Sequence, residues 1–368
     1  MMKIEVIDLK KRFQEEKKEI LSVIKKVLSK GNLVLTPELQ NFENSICKFT
    51  KAKYCLGLNS GTDALMMSMW SLGITKGDEV ITSPISFIAS TSSIIHLGAK
   101  PVFVDVGEDL NLNVDLIERA ITKKTKAIMP VHWTGRICDM NKIIKIAKKH
   151  NLFIIEDAAQ AMGSYYKKKH AGTVGKISAF STHPLKNLNA LGDGGFIITN
   201  EKKLYDKIKL YRNHGLKSRD NVEIAGVNSR LDSLQAEILN FRLKRLKNII
   251  NRRNKNVKLY KKLITSMKVK IIDTKKFYTD AHVMFITLSE KRDELQKYLS
   301  KNGIQSLVYY KTPLHLHKAT RYLGYKRRDF PIAEKLAQKV LSFPHHQHLT
   351  KKEITYVANK INSFYDQK

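Results

Sequence analysis

The sequence predicts an α/β protein with a mostly parallel central sheet sandwiched by helices, followed by a smaller C-terminal α+β domain. Three observations predict it. Short apolar runs alternate with helical periodicity between residues 54 and 199. Strands separated by helices of this length are joined by crossovers, which makes the sheet parallel and covers both of its faces. A long helical pattern then runs over residues 231–267, and beyond it strands and helices mix without that alternation. We expect a large domain over residues 1–240, with an N-terminal helical arm, and a small domain over residues 241–368.

Taken in order, residues 9–30 read as an amphipathic helix, with Ile20, Leu21, Ile24, Val27 and Leu28 on one face and Gly31 after its end. Residues 54–58 are a short apolar strand. It leads into Asn59-Ser60-Gly61-Thr62-Asp63 and then a helix carrying Ala64, Leu65, Met67, Met69 and Leu72. Residues 78–82, 101–105 and 125–131 are further strands, with helical stretches at 86–97, 113–121 and 139–150. Residues 153–157 form a buried strand that delivers an acid at its end. Ala179-Phe180-Ser181 is strand-like, and residues 196–199 precede a helix over 201–212. The long helix has Leu234, Ile238, Phe241, Leu246 and Ile249 as apolar positions. Strands at 282–288 and 304–309 and helices at 290–302, 331–341 and 350–365 complete the small domain.

Composition narrows the function. A chain of 368 residues with 42% hydrophobic content can build a sizeable core. It contains no apolar run near the roughly 20 residues that span a bilayer, so membrane insertion is not expected. Residues 1–30 are charged throughout and do not resemble a secretory signal. Cys47, Cys55 and Cys138 are widely spaced and odd in number, which points to a reducing cytoplasm rather than a disulfide framework or zinc site. The net charge is +32, from 66 Lys+Arg against 34 Asp+Glu. The lysines are spread along the chain, and neither an aromatic-and-basic RNA motif nor a recognition helix is present. A solvated basic surface is expected, with no nucleic-acid partner but a favourable field for an anionic substrate.

Three segments carry chemistry. A strand that turns at Asn59-Ser60-Gly61-Thr62 into a helix presents free N–H groups and a positive dipole end, as a phosphate site does, although the same residues also make an ordinary N-cap. Asp157 ends an apolar strand where open α/β sheets place their ligands. Its buried carboxylate calls for a cationic partner such as a protonated pyridine, or it caps the next helix. Gln160 follows by one helical turn and would face the same ligand. Lys186, in Phe180-Ser181-Thr182-His183-Pro184-Leu185-Lys186-Asn187-Leu188 ahead of Gly192-Asp193-Gly194-Gly195, has few charges near it in sequence. A lysine in a dry pocket loses basicity, which frees its amine to form an imine. His345, His346 and His348 lack a nearby carboxylate or cysteine, so no metal site is expected.

The ordered set of motifs resembles the DegT/DnrJ/EryC1/StrS family of pyridoxal-phosphate nucleotide-sugar aminotransferases, of aspartate-aminotransferase fold (type I). The resemblance covers nearly the whole chain. It runs through Asn59-Ser60-Gly61-Thr62-Asp63-Ala64-Leu65, Gly77-Asp78-Glu79-Val80-Ile81, Ser86-Phe87-Ile88-Ala89-Ser90 and the segment from Gly98 to Val106. It continues through Glu156-Asp157-Ala158-Ala159-Gln160-Ala161, Arg212-Asn213-His214-Gly215 and Gly226-Val227-Asn228-Ser229-Arg230-Leu231-Asp232.

The resemblance implies pyridoxal 5'-phosphate as cofactor, and roles for matching residues. Lys186 would hold the cofactor as an imine and shuttle a proton, and Asp157 would pair with the ring nitrogen. Gln160 would meet the phenolic oxygen, Phe87 would stack on the ring, and Gly61, Thr62 and Ser181 would hold the phosphate. Asn228 would reach the cofactor phosphate of a neighbouring subunit, and Arg230 the substrate or the glutamate carboxylate, which makes a homodimer the minimum unit. The implied partners are L-glutamate and a nucleotide-diphosphate keto-sugar, in amino-sugar synthesis for polysaccharide or glycoconjugate.

Gly192-Asp193-Gly194-Gly195 is similar to members acting on 3-keto sugars, and C4 amination is the alternative. Two departures lie where the sugar would sit: Thr182-His183 before the lysine, and Tyr309-Tyr310-Lys311 ahead of Pro313-Leu314-His315. They mark His183, Tyr309 and Tyr310 as substrate-side candidates. Family members that dehydrate carry His in place of the lysine, so Lys186 disfavours that outcome. A catalytically silent regulator on the same fold is the rival of another class, and the set Asp157, Gln160, Ser181 and Lys186 argues against it.

Overall fold

The computed structural model describes residues 3–366. Seven strands form the central sheet: β1 (Tyr54–Leu58), β2 (Glu79–Thr82), β3 (Lys100–Phe103), β4 (Thr125–Ile128), β5 (Phe153–Asp157), β6 (Ile177–Ser181) and β7 (Gly195–Thr199). Their spatial order is β1-β7-β6-β5-β4-β2-β3, and only β7 runs against the rest. Side chains alternate between two cores, one per face. Cys55, Phe180, Phe196 and Ile198 face one core, and Leu56, Ala179 and Ile197 the other.

The helices of the large unit are α1 (Leu9–Leu28), α2 (Pro37–Thr50), α3 (Gly61–Ser71), α4 (Ala89–His96), α5 (Met140–Lys149) and α6 (Lys202–Tyr211). Next comes α7 (Ser233–Leu263), which buries Ala236, Leu239, Leu246 and Ile250 in the sheet core. Val257 and Tyr260, two turns further on, enter the C-terminal core. That C-terminal region has a three-stranded antiparallel sheet of β8 (Val269–Ile271), β9 (Ile286–Ser289) and β10 (Val340–Ser342). Around it pack α8 (Arg292–Lys301), α9 (Pro331–Lys339) and α10 (Lys351–Asp366). Ile4 bridges to Ile304, so the chain before α1 lies against the C-terminal region. Among the described residues no helix is long and apolar enough to cross a membrane.

The structure corrects several expectations. The stretch 86–97 is helical only from Ala89; residues 84–86 form bends, and Ser86 and Phe87 line the cavity. The stretch 113–121 forms two short 3-10 turns, Val114–Leu116 and Glu118–Ala120, in place of an α-helix. Residues 304–309 make only isolated bridges, to Ile4 and Ser342, and the strand expected at 282–288 begins at Ile286. Residues 158–164 are turns, so Gln160 does not follow Asp157 by a helical turn. The sequence reading passed over α2, although Pro37 at its first position and a run of apolar residues mark it.

Candidate active site

The C-terminal ends of β1, β2, β5 and β6 open on one cavity of about 430 Å³. After β1 the chain turns at Ser60, whose Oγ caps α3 by accepting from the Asp63 amide at 3.0 Å. The amides of the first turn of α3, with the helix dipole, make an anion-accepting corner. The corner is closely packed. A Cβ at Gly61 would stand 2.8 Å from the Cβ of Ser181, and one at Gly195 would overlap the Ser60 carbonyl. Glycine at these two positions lets the ends of β1, β6 and β7 converge, with Thr62 and Ser181 on the cavity wall.

Asp157 is fixed by β5. Its carbonyl accepts from the His132 amide and its own amide donates to the Pro130 carbonyl, both at 3.0 Å. Its Oδ2 accepts from the Ser90 hydroxyl at 2.6 Å, and Oδ1 from the Ala159 amide at 3.2 Å. Burial raises its carboxyl above the ordinary range, while Ser90, Ala159 and the Lys186 charge pull it back. Glu156, one residue earlier, points to the other face and is fully satisfied. It accepts from His132 Nε2 at 2.8 Å and from the amides of Gly172, Val174 and Gly175 at 2.7, 2.8 and 2.5 Å. Burial works against its charge, and these donors together hold it below the usual carboxylate range.

Lys186 sits on the loop between β6 and β7. Its amide donates to the His183 carbonyl at 2.8 Å, and the Leu185 amide donates to His183 Nδ1 at 3.3 Å. Asn187 anchors the loop by donating to the Ala281 carbonyl at 2.7 Å and accepting from Arg253 Nη1 at 2.5 Å. Protein packed round the Lys186 amine lowers its pKa to about 8, against an opposing pull from Asp157. An amine this weakly basic is partly neutral near physiological pH and able to attack a carbonyl.

Gln160 Oε1 accepts from the Thr134 amide at 2.8 Å, which orients its side chain at the cavity. Phe87 is 56% exposed, with its ring 6.3 Å from that of Tyr310, and Tyr310 stacks on Trp133 at 6.2 Å. Lys186, Asp157, Gly61, Thr62, Phe87, Gln160, Ser181, His183, Tyr309 and Tyr310 all line this one cavity. Asn228 and Arg230 do not. Asn228 is exposed and bridges to Asn213, while Arg230 Nη1 donates to Asn213 Oδ1 at 3.0 Å. Sequence reasoning missed Ser90, although Ser86 and Ser90 stand four residues apart in a segment it had marked. It also missed Ile7 and Met284, which carry no chemical signal and reach the cavity only through the fold.

A model of the DegT/DnrJ/EryC1/StrS aminotransferase family matches residues 14–362. The chain belongs to that family. A relative from Geobacillus stearothermophilus named "Pleiotropic regulatory protein" is 39% identical, with 99% of each chain covered. A "dTDP-3-amino-3,6-dideoxy-alpha-D-galactopyranose transaminase" from Aneurinibacillus thermoaerophilus is 38% identical, over 98% of this chain and 99% of its own. The crystal structure of S. venezuelae DesV in complex with a ketimine intermediate superposes with a TM-score of 0.96 at 35% identity, covering 99% of each chain. The PLP form of a putative sugar aminotransferase from Streptococcus pneumoniae superposes with a TM-score of 0.92 at 25% identity, covering 100% of this chain and 99% of its own. The protein is an aminotransferase of fold type I, and its cofactor is pyridoxal 5'-phosphate. The cavity fits that group: it offers an amine, a buried carboxylate that lacks a strong cationic partner, and an anion-accepting helix end.

Proposed function

We propose that the enzyme moves an amino group from L-glutamate to a keto-deoxysugar carried on a nucleotide diphosphate, at C3 of the sugar. The observation that carries this reading is the pairing of a desolvated Lys186 amine with the buried Asp157 carboxylate in one cavity that also contains Gly61, Thr62 and Ser181. Pyridoxal phosphate, when bound, supplies a carbonyl carbon for the travelling amine and a ring that accepts an electron pair. Lys186 Nζ would hold the cofactor and, when freed, would be the group that accepts a proton from the donor carbon and returns one to the acceptor carbon. Asp157, which accepts from Ser90 and Ala159, would pair with the ring nitrogen. The first turn of α3 with Thr62 and Ser181 would anchor the phosphate, Gln160 would meet the ring oxygen and Phe87 would lie against the ring. His183, Tyr309 and Tyr310 border the space left for sugar.

Amination at C3 is supported by Asp193 of Gly-Asp-Gly-Gly, which lines the cavity, and by the 3-amino product in the name of the A. thermoaerophilus relative. Asn228 and Arg230 stand outside their own chain's cavity, which supports a homodimer in which they serve a second copy's site. A cytoplasmic enzyme feeding polysaccharide or glycoconjugate synthesis is the setting we infer. A regulator without catalysis is the second reading, favoured by the name of the Geobacillus relative.

The test is a panel of nucleotide-linked 3-keto and 4-keto sugars with L-glutamate, followed by 2-oxoglutarate release. Turnover confined to 4-keto compounds would reject C3. Absence of turnover, together with no cofactor absorbance band that disappears in Lys186→Ala, would favour the regulator.

A further inference from the structure

A narrow cleft joins the main cavity at Lys186, sharing Ile7, Leu185 and Lys186 with it, and is lined by Arg12, Arg253 and Gln347 among others. Its volume is about 10 Å³, room for one oxygen-sized atom. Its charges do not balance. Arg12 is 4% exposed; its Nε donates to Glu16 at 3.2 Å, and its Nη2 is buried without a hydrogen-bond partner. Glu16 is already shared with Arg242 at 2.9 Å. Arg253, also buried, donates to neutral groups: Nε to Gln347 Oε1 at 3.2 Å and Nη1 to Asn187 Oδ1 at 2.5 Å. Among the described residues no carboxylate lies within ion-pair distance of Arg253. Asp8 lines the cleft, but its Oδ1 caps α1 by accepting from the Lys11 amide at 2.7 Å. Two buried arginines therefore share one buried carboxylate, a third has none, and Nη2 of Arg12, which lines the cleft with Lys186, is left without a partner. A buried cation without a counter-charge calls for an anion.

We propose that this cleft receives one oxygen of the α-carboxylate of the amino donor, with Arg12 Nη2 donating to it and Arg253 supplying charge. The inference rests on the transaminase reading above. In an α-amino acid the carboxylate carbon is two bonds from the amine. The donor amine has to replace Nζ of Lys186, so the carboxylate comes to lie beside that lysine, where the cleft opens. The keto carbon of a sugar carries no carboxylate, so the cleft serves the donor half of the reaction and selects α-amino acids over plain amines. Arg12 lies on α1, in a part of the chain where sequence reading saw only an amphipathic arm.

The test uses the holoenzyme in single turnover with L-glutamate and with 4-aminobutyrate, which keeps the distal carboxylate and lacks the α-carboxylate. The readout is loss of the bound-cofactor absorbance, expressed as the ratio of the two second-order rate constants. Because both rates come from the same preparation, the ratio does not depend on how much protein is active. In Arg12→Gln the preference for glutamate falls at least tenfold. In Arg12→Lys, which keeps the charge and shortens the reach, it falls about threefold, and this variant decides the matter if Arg12→Gln does not fold. An unchanged ratio in the folded variants, with both amines slowed alike, assigns Arg12 to packing only and overturns the proposal. A wild-type enzyme that takes no amino group from L-glutamate is a separate result, and it removes the transaminase reading itself.

Discussion

Lys186 stands between two buried neighbourhoods of opposite character. On the β5 side, Glu156 and Asp157 are adjacent in sequence and point to opposite faces. Glu156 has four donors within 2.8 Å, whereas Asp157 has one hydroxyl and one amide. On the α1–α7 side, Arg12 and Arg242 share Glu16, and Arg253 donates only to neutral groups. The contrast teaches how to tell a structural charge from a functional one. Glu156 is saturated by the protein and has nothing left to offer a ligand. Asp157, and the arginines opposite, are left short of partners, and a substrate or cofactor completes them.

The comparison breaks most visibly at Lys186. Lys186→Ala removes the proton carrier, and we expect turnover to fall by about 10³-fold or more, read as 2-oxoglutarate formation. Asp157→Asn removes the charge that holds the ring proton, with a loss in kcat of about 10²-fold; a loss below threefold would show that the carboxylate is as structural as Glu156. Ser90→Ala takes away one of the two donors that pull the Asp157 carboxyl down against burial. A hydrogen bond to a charged group contributes about 1.5–3 kcal/mol, so kcat drops roughly tenfold and its acid limb moves to higher pH. A stability measurement sharpens the contrast from the other direction. The folded-state pKa of Lys186 is depressed from 10.5 to about 8, so its charged form opposes folding below about pH 8. Stability then rises with pH between 8 and 10.5, where the unfolded chain binds the extra proton. Cofactor-free Lys186→Met should be more stable than wild type at pH 7, on the order of 2 kcal/mol after allowing for residual solvent. The gain should fade through pH 8 to 10.5 in denaturant titrations, and a gain that does not depend on pH would contradict the assigned desolvation.

The sequence makes the parts of the site on strand ends legible, because apolar β-runs followed by Ser60-Gly61, Asp157 and Ser181 announce their own geometry. Ten of the expected residues line one cavity; those at strand ends do so for that reason, and others, such as Phe87, Tyr309 and Tyr310, were expected only through the family resemblance. Gln160 reaches the cavity although the helical turn expected there does not form; its orientation comes instead from the Thr134 amide, a contact 26 residues away. Ser90 was overlooked because hydroxyl pairs at helical spacing are common on solvated faces, and only burial reveals that this one holds an acid. Arg12 and Arg253 could not be found among 66 basic residues, since their meaning lies in missing partners rather than in any local pattern. The 3-10 turns at 114–120 and the broken strand at 304–309 were misread because short apolar runs do not distinguish regular elements from packed coil.

One feature sets mechanical limits. α7 is an uninterrupted rod of 31 residues, about 46 Å long, with one half sunk in the sheet core and the other in the C-terminal core. Such a beam resists hinging between the halves, so any rearrangement that a substrate requires is expected in the coils around it, and lengthening a surface loop elsewhere should leave the tempo of turnover unaltered.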